Sequence, residues 1–157
     1  MKRNLIPCMF FCVLATTISG CVSGEPAQTS SLELQAFQRK EFDTTKTIAF
    51  ASTVSVFQDL GYIIKTADIQ SGLITASSPT QETLFFGSHM KNTEASAFIE
   101  EINPGKTFVR VNFVEAKEDS GGYGMKTKSD HPIVDPKIYE SCFQKIQEAI
   151  FIRSHTQ

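Results

Sequence analysis

Tryptophan is absent from the 157 residues, and cysteine is scarce at four. Cys8 and Cys12 fall inside an apolar run near the start, Cys21 follows that run, and only Cys142 lies in the body of the chain. A folded body with one cysteine forms no internal disulfide. Positive charge is also thin, with 15 Lys and Arg against 17 Asp and Glu. No dense basic cluster stands out, so nothing draws the chain electrostatically toward nucleic acid, and no nucleic-acid partner is expected. After Ile18 no second apolar run approaches the roughly 20 residues that a bilayer-spanning helix needs.

What is present at the start has three parts. Lys2 and Arg3 give a short positive segment. Leu5 to Ile18 is apolar apart from Pro7, Thr16 and Thr17, and the small residues Ser19 and Gly20 follow. This is the layout of an export signal. Ile18-Ser19-Gly20-Cys21 resembles the lipobox of bacterial lipoproteins, in which an aliphatic and two small residues precede a cysteine. The resemblance implies cleavage between Gly20 and Cys21, a diacylglyceryl group on the Cys21 thiol and an acyl chain on its new amino group. No other cofactor is expected. Each buried CH₂ contributes about 0.8 kcal/mol, so two or three chains hold a protein on a membrane effectively for good.

Cleavage there removes two of the fifteen basic residues and none of the seventeen acidic ones, leaving 137 residues with a formal charge of −4. Val22 stands where an Asp would favour inner-membrane retention in the enteric sorting pattern. By that resemblance the chain is expected in the outer membrane, with its domain facing the periplasm. The expected organisation is a signal peptide at 1–20, a flexible tether at 21–35 and one globular domain at 36–157.

The tether reading rests on Gly24, Glu25, Pro26, Gln28, Thr29, Ser30 and Ser31, which give no periodicity and little to bury. Phe37 to Phe42 reads as a first strand. Asp43, Thr44 and Thr45 offer N-caps to a helix from Thr45 to Leu60. Its apolar stripe is Phe50, Val54, Phe57 and Leu60, with Ile48 and Val56 off it, and Gly61 ends it. Tyr62–Ala67 and Leu73–Ser77 read as strands joined at Asp68–Gly72. Glu82–Lys91 carries no clear pattern.

Thr93–Ile102 and Thr107–Ala116 form the clearest hairpin. Pro104 and Gly105 suit the two central positions of a type II turn, and Val109, Val111 and Phe113 alternate with Arg110 and Asn112. Ser120–Gly124 reads as a loose turn into Met125–Ser129. Asp135 caps a last helix with Pro136 in its first turn. Along it Tyr139, Cys142, Phe143, Ile146, Ala149 and Ile150 recur at helical spacing. The fold expected is α+β: a two-layer sandwich, with an antiparallel sheet of about four to six strands covered on one face by two helices.

Candidates for chemistry are few. His89, His131 and His155 are scattered, where zinc needs three or four convergent ligands, so no metal is expected. Cys142 lies on the apolar stripe of the last helix, the place of a small buried hydrophobe rather than a nucleophile. Glu100 and Glu101 point to opposite faces of a strand. Adjacent Ser129-Asp130-His131 cannot adopt triad geometry and reads as a polar loop. Gly121-Gly122-Tyr123-Gly124 lacks the Lys-Ser/Thr of a phosphate loop. Phe85 and Phe86 form a docking patch if they face solvent, and core if they do not.

Phe42-Asp43-Thr44, Phe57-Gln58-Asp59-Leu60-Gly61-Tyr62, Gly72-Leu73-Ile74-Thr75-Ala76 and Ile133-Val134-Asp135-Pro136 with Tyr139 and Phe143 resemble a group of small Gram-negative lipoproteins. These motifs imply structure and bring no catalytic residue. The element order is also similar to the helix-grip domains of the BamC lipoprotein, an accessory of the outer-membrane β-barrel assembly machine, which implies fold alone. The expectation is a membrane-tethered, non-enzymatic structural or accessory subunit that meets an envelope protein partner, through an exposed sheet edge among other routes. The alternative is a small-ligand or lipid-binding module with an apolar pocket between helix and sheet. A hydrolase would need convergent polar groups in a cleft.

Overall fold

The turn at Asn103-Pro104-Gly105-Lys106 organises the sheet. Gly105 takes φ +76°, and Asn103 pairs with Lys106 across it. The computed structural model describes residues 31–84, 88–120 and 126–156. In chain order the elements are α1 (Ser31–Phe37), β1 (Arg39–Phe42), α2 (Lys46–Asp59), β2 (Ile63–Asp68), β3 (Leu73–Ser77), β4 (Gln81–Leu84), β5 (Ser88–Asn103), β6 (Lys106–Ser120), β7 (Lys126–Pro132) and α3 (Pro136–His155).

The seven strands among the described residues all pair antiparallel. The body of the sheet runs β1-β6-β5-β3-β2, while β4 joins β5 and β7 joins β6 further along the same two long strands. The β5–β6 hairpin is therefore shared by a body at its turn end and a four-stranded arm at its open end. Ile74, Ala76, Ala95, Ala97, Ile99, Val109, Val111 and Phe113 point to one face, where they meet the buried sides of α2 and α3. This is the expected α+β sheet with helices on one face, with seven strands among the described residues where about four to six were expected.

Along the core face of β6 the residues read Val109, Val111, Phe113, then Glu115 and Lys117. The core ends at that change. Beyond it Glu115 forms ion pairs with Lys91 and, at 2.7 Å, with Lys117. The expected strands were correspondingly short. β5 begins at Ser88 rather than Thr93, β6 runs to Ser120 rather than Ala116, and β7 takes in Ser129-Asp130-His131, which read as a loop. Backbone pairing continues where apolar alternation has stopped.

Two further expectations shift at the start. The tether was to run unpatterned to Gln35, but Ser31–Phe37 is helical and the first strand begins at Arg39. Leu34 is half-buried, and the Phe37 ring lies 5.1 Å from Tyr139, so tertiary contact fixes this turn of helix. In α2 the buried side is Ala49, Phe50, Ser52, Thr53, Val56 and Phe57. Val56 is therefore inside and Leu60 outside, because α2 packs on both α3 and the sheet. Small hydroxyl residues fill the tight contact, and Thr53 returns its proton to the Ala49 carbonyl at 2.8 Å.

The ends of the helices follow their local chemistry. Gly61 at φ +84° closes α2 in a Schellman arrangement. Tyr62 N–H donates to Phe57 and Gly61 N–H to Gln58, each at 2.9 Å, with the Tyr62 and Phe57 rings 5.9 Å apart. Asp135 accepts from Lys137 N–H at 3.0 Å to start α3. At the start of α2, Thr45 makes no side-chain cap. Glu101 from the hairpin substitutes, accepting Lys46 N–H at 3.4 Å and Gly105 N–H at 3.0 Å.

Candidate functional site

Both central strands change neighbours partway along, and each change is sealed. On β6 the handover from β1 to β7 leaves the 111–113 segment. Val111 N–H donates to Gln38, Ile133 N–H donates to Phe113, and Phe113 N–H donates to the Tyr139 hydroxyl at 3.4 Å. On β5 the handover from β3 to β4 is closed by Ser78, whose N–H donates to Thr93 while its Oγ accepts Thr93 N–H, both at 2.8 Å. Buried peptide groups are thus satisfied where the ladder lapses.

The face of the sheet away from the helices carries the surface chemistry. On it Asp68, Leu73, Phe98, Arg110 and Arg39 stand in one cross-strand row from β2 to β1. Phe98 remains 39% exposed and Leu73 41%. Phe108 sits beside them edge-on to Phe98 at 6.1 Å, with the Arg39 guanidinium 4.1 Å above its ring. Nearer the arm small polar side chains take over. The row Thr75–Ser96–Asn112 floors a groove of about 630 Å³, with Lys65 and Glu94 among its walls. Among the described residues no helix covers this face.

Between sheet and helices the space is filled with rings. Tyr139 lies 5.4 Å from Phe113, Phe113 lies 6.0 Å from Tyr62 and 6.2 Å from Phe57. Beside this ladder a surface groove of about 310 Å³ is lined by Leu60, Tyr62, Ile138 and Cys142. Burial raises the Tyr62 phenol above its usual range and pushes the Cys142 thiol up to about 12. Cys142 stays protonated there and is inert as a nucleophile.

His131 and His155 do not converge. His131 faces Glu115 across β6–β7, whereas His155 stacks on Phe151 at the far end of α3. Thirteen residues of helix separate Cys142 from His155, about 20 Å at the helical rise. No group of three metal-ligating side chains occurs among the described residues. At Glu115 hydrogen bonds from Lys117 and Lys91 hold the carboxylate down at about 2.

Ile18, Ser19, Gly20 and Cys21 lie outside the described residues, as do Phe85 and Phe86. Of the described part, no helix is long and apolar enough to cross a membrane. Sequence reasoning passed over Arg39, Leu73, Phe98 and Phe108 as surface chemistry. Their signal was the alternation itself: Phe108 and Arg110 stand out of phase with Val109 and Val111, and Phe98 out of phase with Ala97 and Ile99.

No protein-family model matches the chain, and no curated protein does. Among solved structures it is similar to a TBP-like protein from Parabacteroides distasonis, at 12% identity and a TM-score of 0.37, over 71% of this chain and 90% of that one.

Proposed function

We propose that this chain is a lipid-anchored protein of the bacterial cell envelope, held by acyl groups on Cys21, whose domain works as a non-enzymatic accessory subunit through protein contacts. The lipobox-like Ile18–Cys21 supports the anchoring. The contact role is carried by one observation: the face that no described helix covers keeps Leu73 and Phe98 exposed side by side. A sheet face with exposed apolar residues among charged ones suits a protein partner.

Its edges suit one less well. β1 is four residues long, β2 carries a register shift between Ile64 and Thr66, and β7 carries two lysines and Pro132. These are the devices that discourage strand addition. The ring-filled interior likewise favours contact over enclosure of an apolar ligand. The test is recovery of the tagged, lipidated protein from mildly cross-linked envelopes, in parallel with a Phe98→Glu variant. A partner recovered at near-equal amount and lost with Phe98→Glu supports the reading. Recovery of the lipoprotein alone in both samples overturns it.

A further inference from the structure

Arg39 on β1 and Arg110 on β6 are directly opposed in the antiparallel register. Such positions bring Cβ atoms to about 4.5–5.5 Å, and like charges there oppose folding. Nearby anions do not neutralise the pair. Glu41 reaches Arg39 only at 3.8 Å and is shared with Lys106 at 3.6 Å. Glu100 lies on the far side of Phe108 in register. The Arg110 guanidinium has no hydrogen bond or ion pair among the described residues. Arg39 is fixed face-on over Phe108, which leaves the edges of its guanidinium free to donate. The two arginines open into a notch of about 400 Å³ walled by Leu32, Gln35 and Ala36 of α1, with Lys40 and Glu41 also on its lining, so three cations face it against one carboxylate.

We propose that this notch is a binding site for a phosphate-bearing anion. Each guanidinium presents a planar fork of donors. A carboxylate has one bidentate edge and satisfies one fork, whereas a tetrahedral phosphate offers an edge to each of two. The notch is larger than a phosphate alone, so a substituted phosphate fits. The anion comes from solution or from the phosphodiester of a lipid headgroup. The second source rests on the anchoring reading above. α1 begins ten residues after Cys21, and ten extended residues span at most about 35 Å.

The test is a titration of the full chain in detergent, followed by backbone amide NMR shifts, with inorganic phosphate, with monomeric short-chain phosphatidylglycerol, and with chloride at matched ionic strength. The expected result is saturable shifts at residues 39–42 and 107–110 with phosphate but not with chloride. Binding weakens about tenfold or more in Arg110→Gln, the loss of one charge-assisted contact. Arg39→Lys, which keeps charge and removes the fork, weakens it as well. Arg110→Gln folds at least as stably as the parent in phosphate-free buffer and is no longer stabilised by phosphate, which separates a binding role from a structural one. Shifts with both ligands assign the site to headgroups, and shifts with inorganic phosphate alone assign it to free anion. Shifts reproduced by chloride, or unchanged in Arg110→Gln, overturn the site, whatever the envelope capture shows.

Discussion

The hydroxyl of Tyr139 takes the place of a missing β-strand for Phe113. Its oxygen accepts the Phe113 N–H at 3.4 Å, its proton goes to the Ile133 carbonyl at 2.7 Å, and Gln38 donates to it at 3.3 Å. One side chain from α3 thereby ties together β6, the segment after β7 and the residue before β1.

Tyr139→Phe keeps the ring and removes all three bonds. Leaving buried donors and acceptors unpaired costs about 1–3 kcal/mol. The urea midpoint should fall accordingly, and the Phe113 amide should exchange faster than its neighbours on β6. An unchanged midpoint would show that water replaces the hydroxyl at no cost.

Two glycines with similar backbone angles separate strain from space. Gly61 and Gly72 lie at φ +84° and +75°. A Cβ at Gly61 meets nothing within 4 Å, whereas at Gly72 it would stand 2.1 Å from the Ile99 carbonyl oxygen. Gly61→Ala is expected to lose about 1–2 kcal/mol from the left-handed conformation alone. Gly72→Ala adds displacement of β5 and should lose roughly 3 kcal/mol or more. Equal losses in thermal unfolding would refute the close approach.

Cys142 should resist alkylation in the native protein and react only on unfolding. Its thiol is raised by burial to about 12, so between the ordinary thiol range and that value the folded state holds a proton that the unfolded state releases. This contribution to stability is complete below the unfolded pKa and is lost as pH rises toward 12. Cys142→Ala should flatten the alkaline slope of the unfolding curve.

Glu115 titrates in the opposite sense. Its folded carboxyl is held at about 2 by Lys117 and Lys91, so its contribution is present above the ordinary Glu range and is lost as pH falls toward 2. A carbon-detected titration of Glu115 should give a midpoint near 2, moving upward in Lys117→Gln and in Lys91→Gln. A midpoint that ignores both substitutions would sink the three-residue pairing.

Glu101 serves both the β5–β6 turn and the first turn of α2. Glu101→Ala should cost about 1 kcal/mol, in the range of a lost cap. Faster amide exchange at Lys46 would accompany it. Glu101→Gln, which retains an acceptor, should recover part of the loss.

The sequence made the body legible wherever burial writes a period. The Asn103–Lys106 turn, the α3 stripe from Tyr139 to Ile150, the Asp135 cap and the Gly61 stop all stand as expected. The arm was not legible, because Lys91, Glu115 and Lys117 hold it by backbone pairing and charge, which leaves no hydropathy pattern. The buried side of α2 misled for a related reason: Ser52 and Thr53 are interior through smallness, and hydropathy does not score fit. The arginine notch was invisible because register alone makes Arg39 and Arg110 neighbours, 71 positions apart.

The arm described above also sets out where this chain tolerates growth. β4, β7 and the far halves of β5 and β6 pair with one another beyond the last apolar residue of the core face, Phe113. Adding or deleting residues two at a time in matched strands there keeps every remaining side chain on its own face and leaves the helix-covered layer untouched. Relatives of this domain should therefore vary in length at the arm while conserving the spacing from Phe42 to Ala76 and from Ala95 to Phe113. For an engineer, the paired strands of the arm are the place to lengthen the domain.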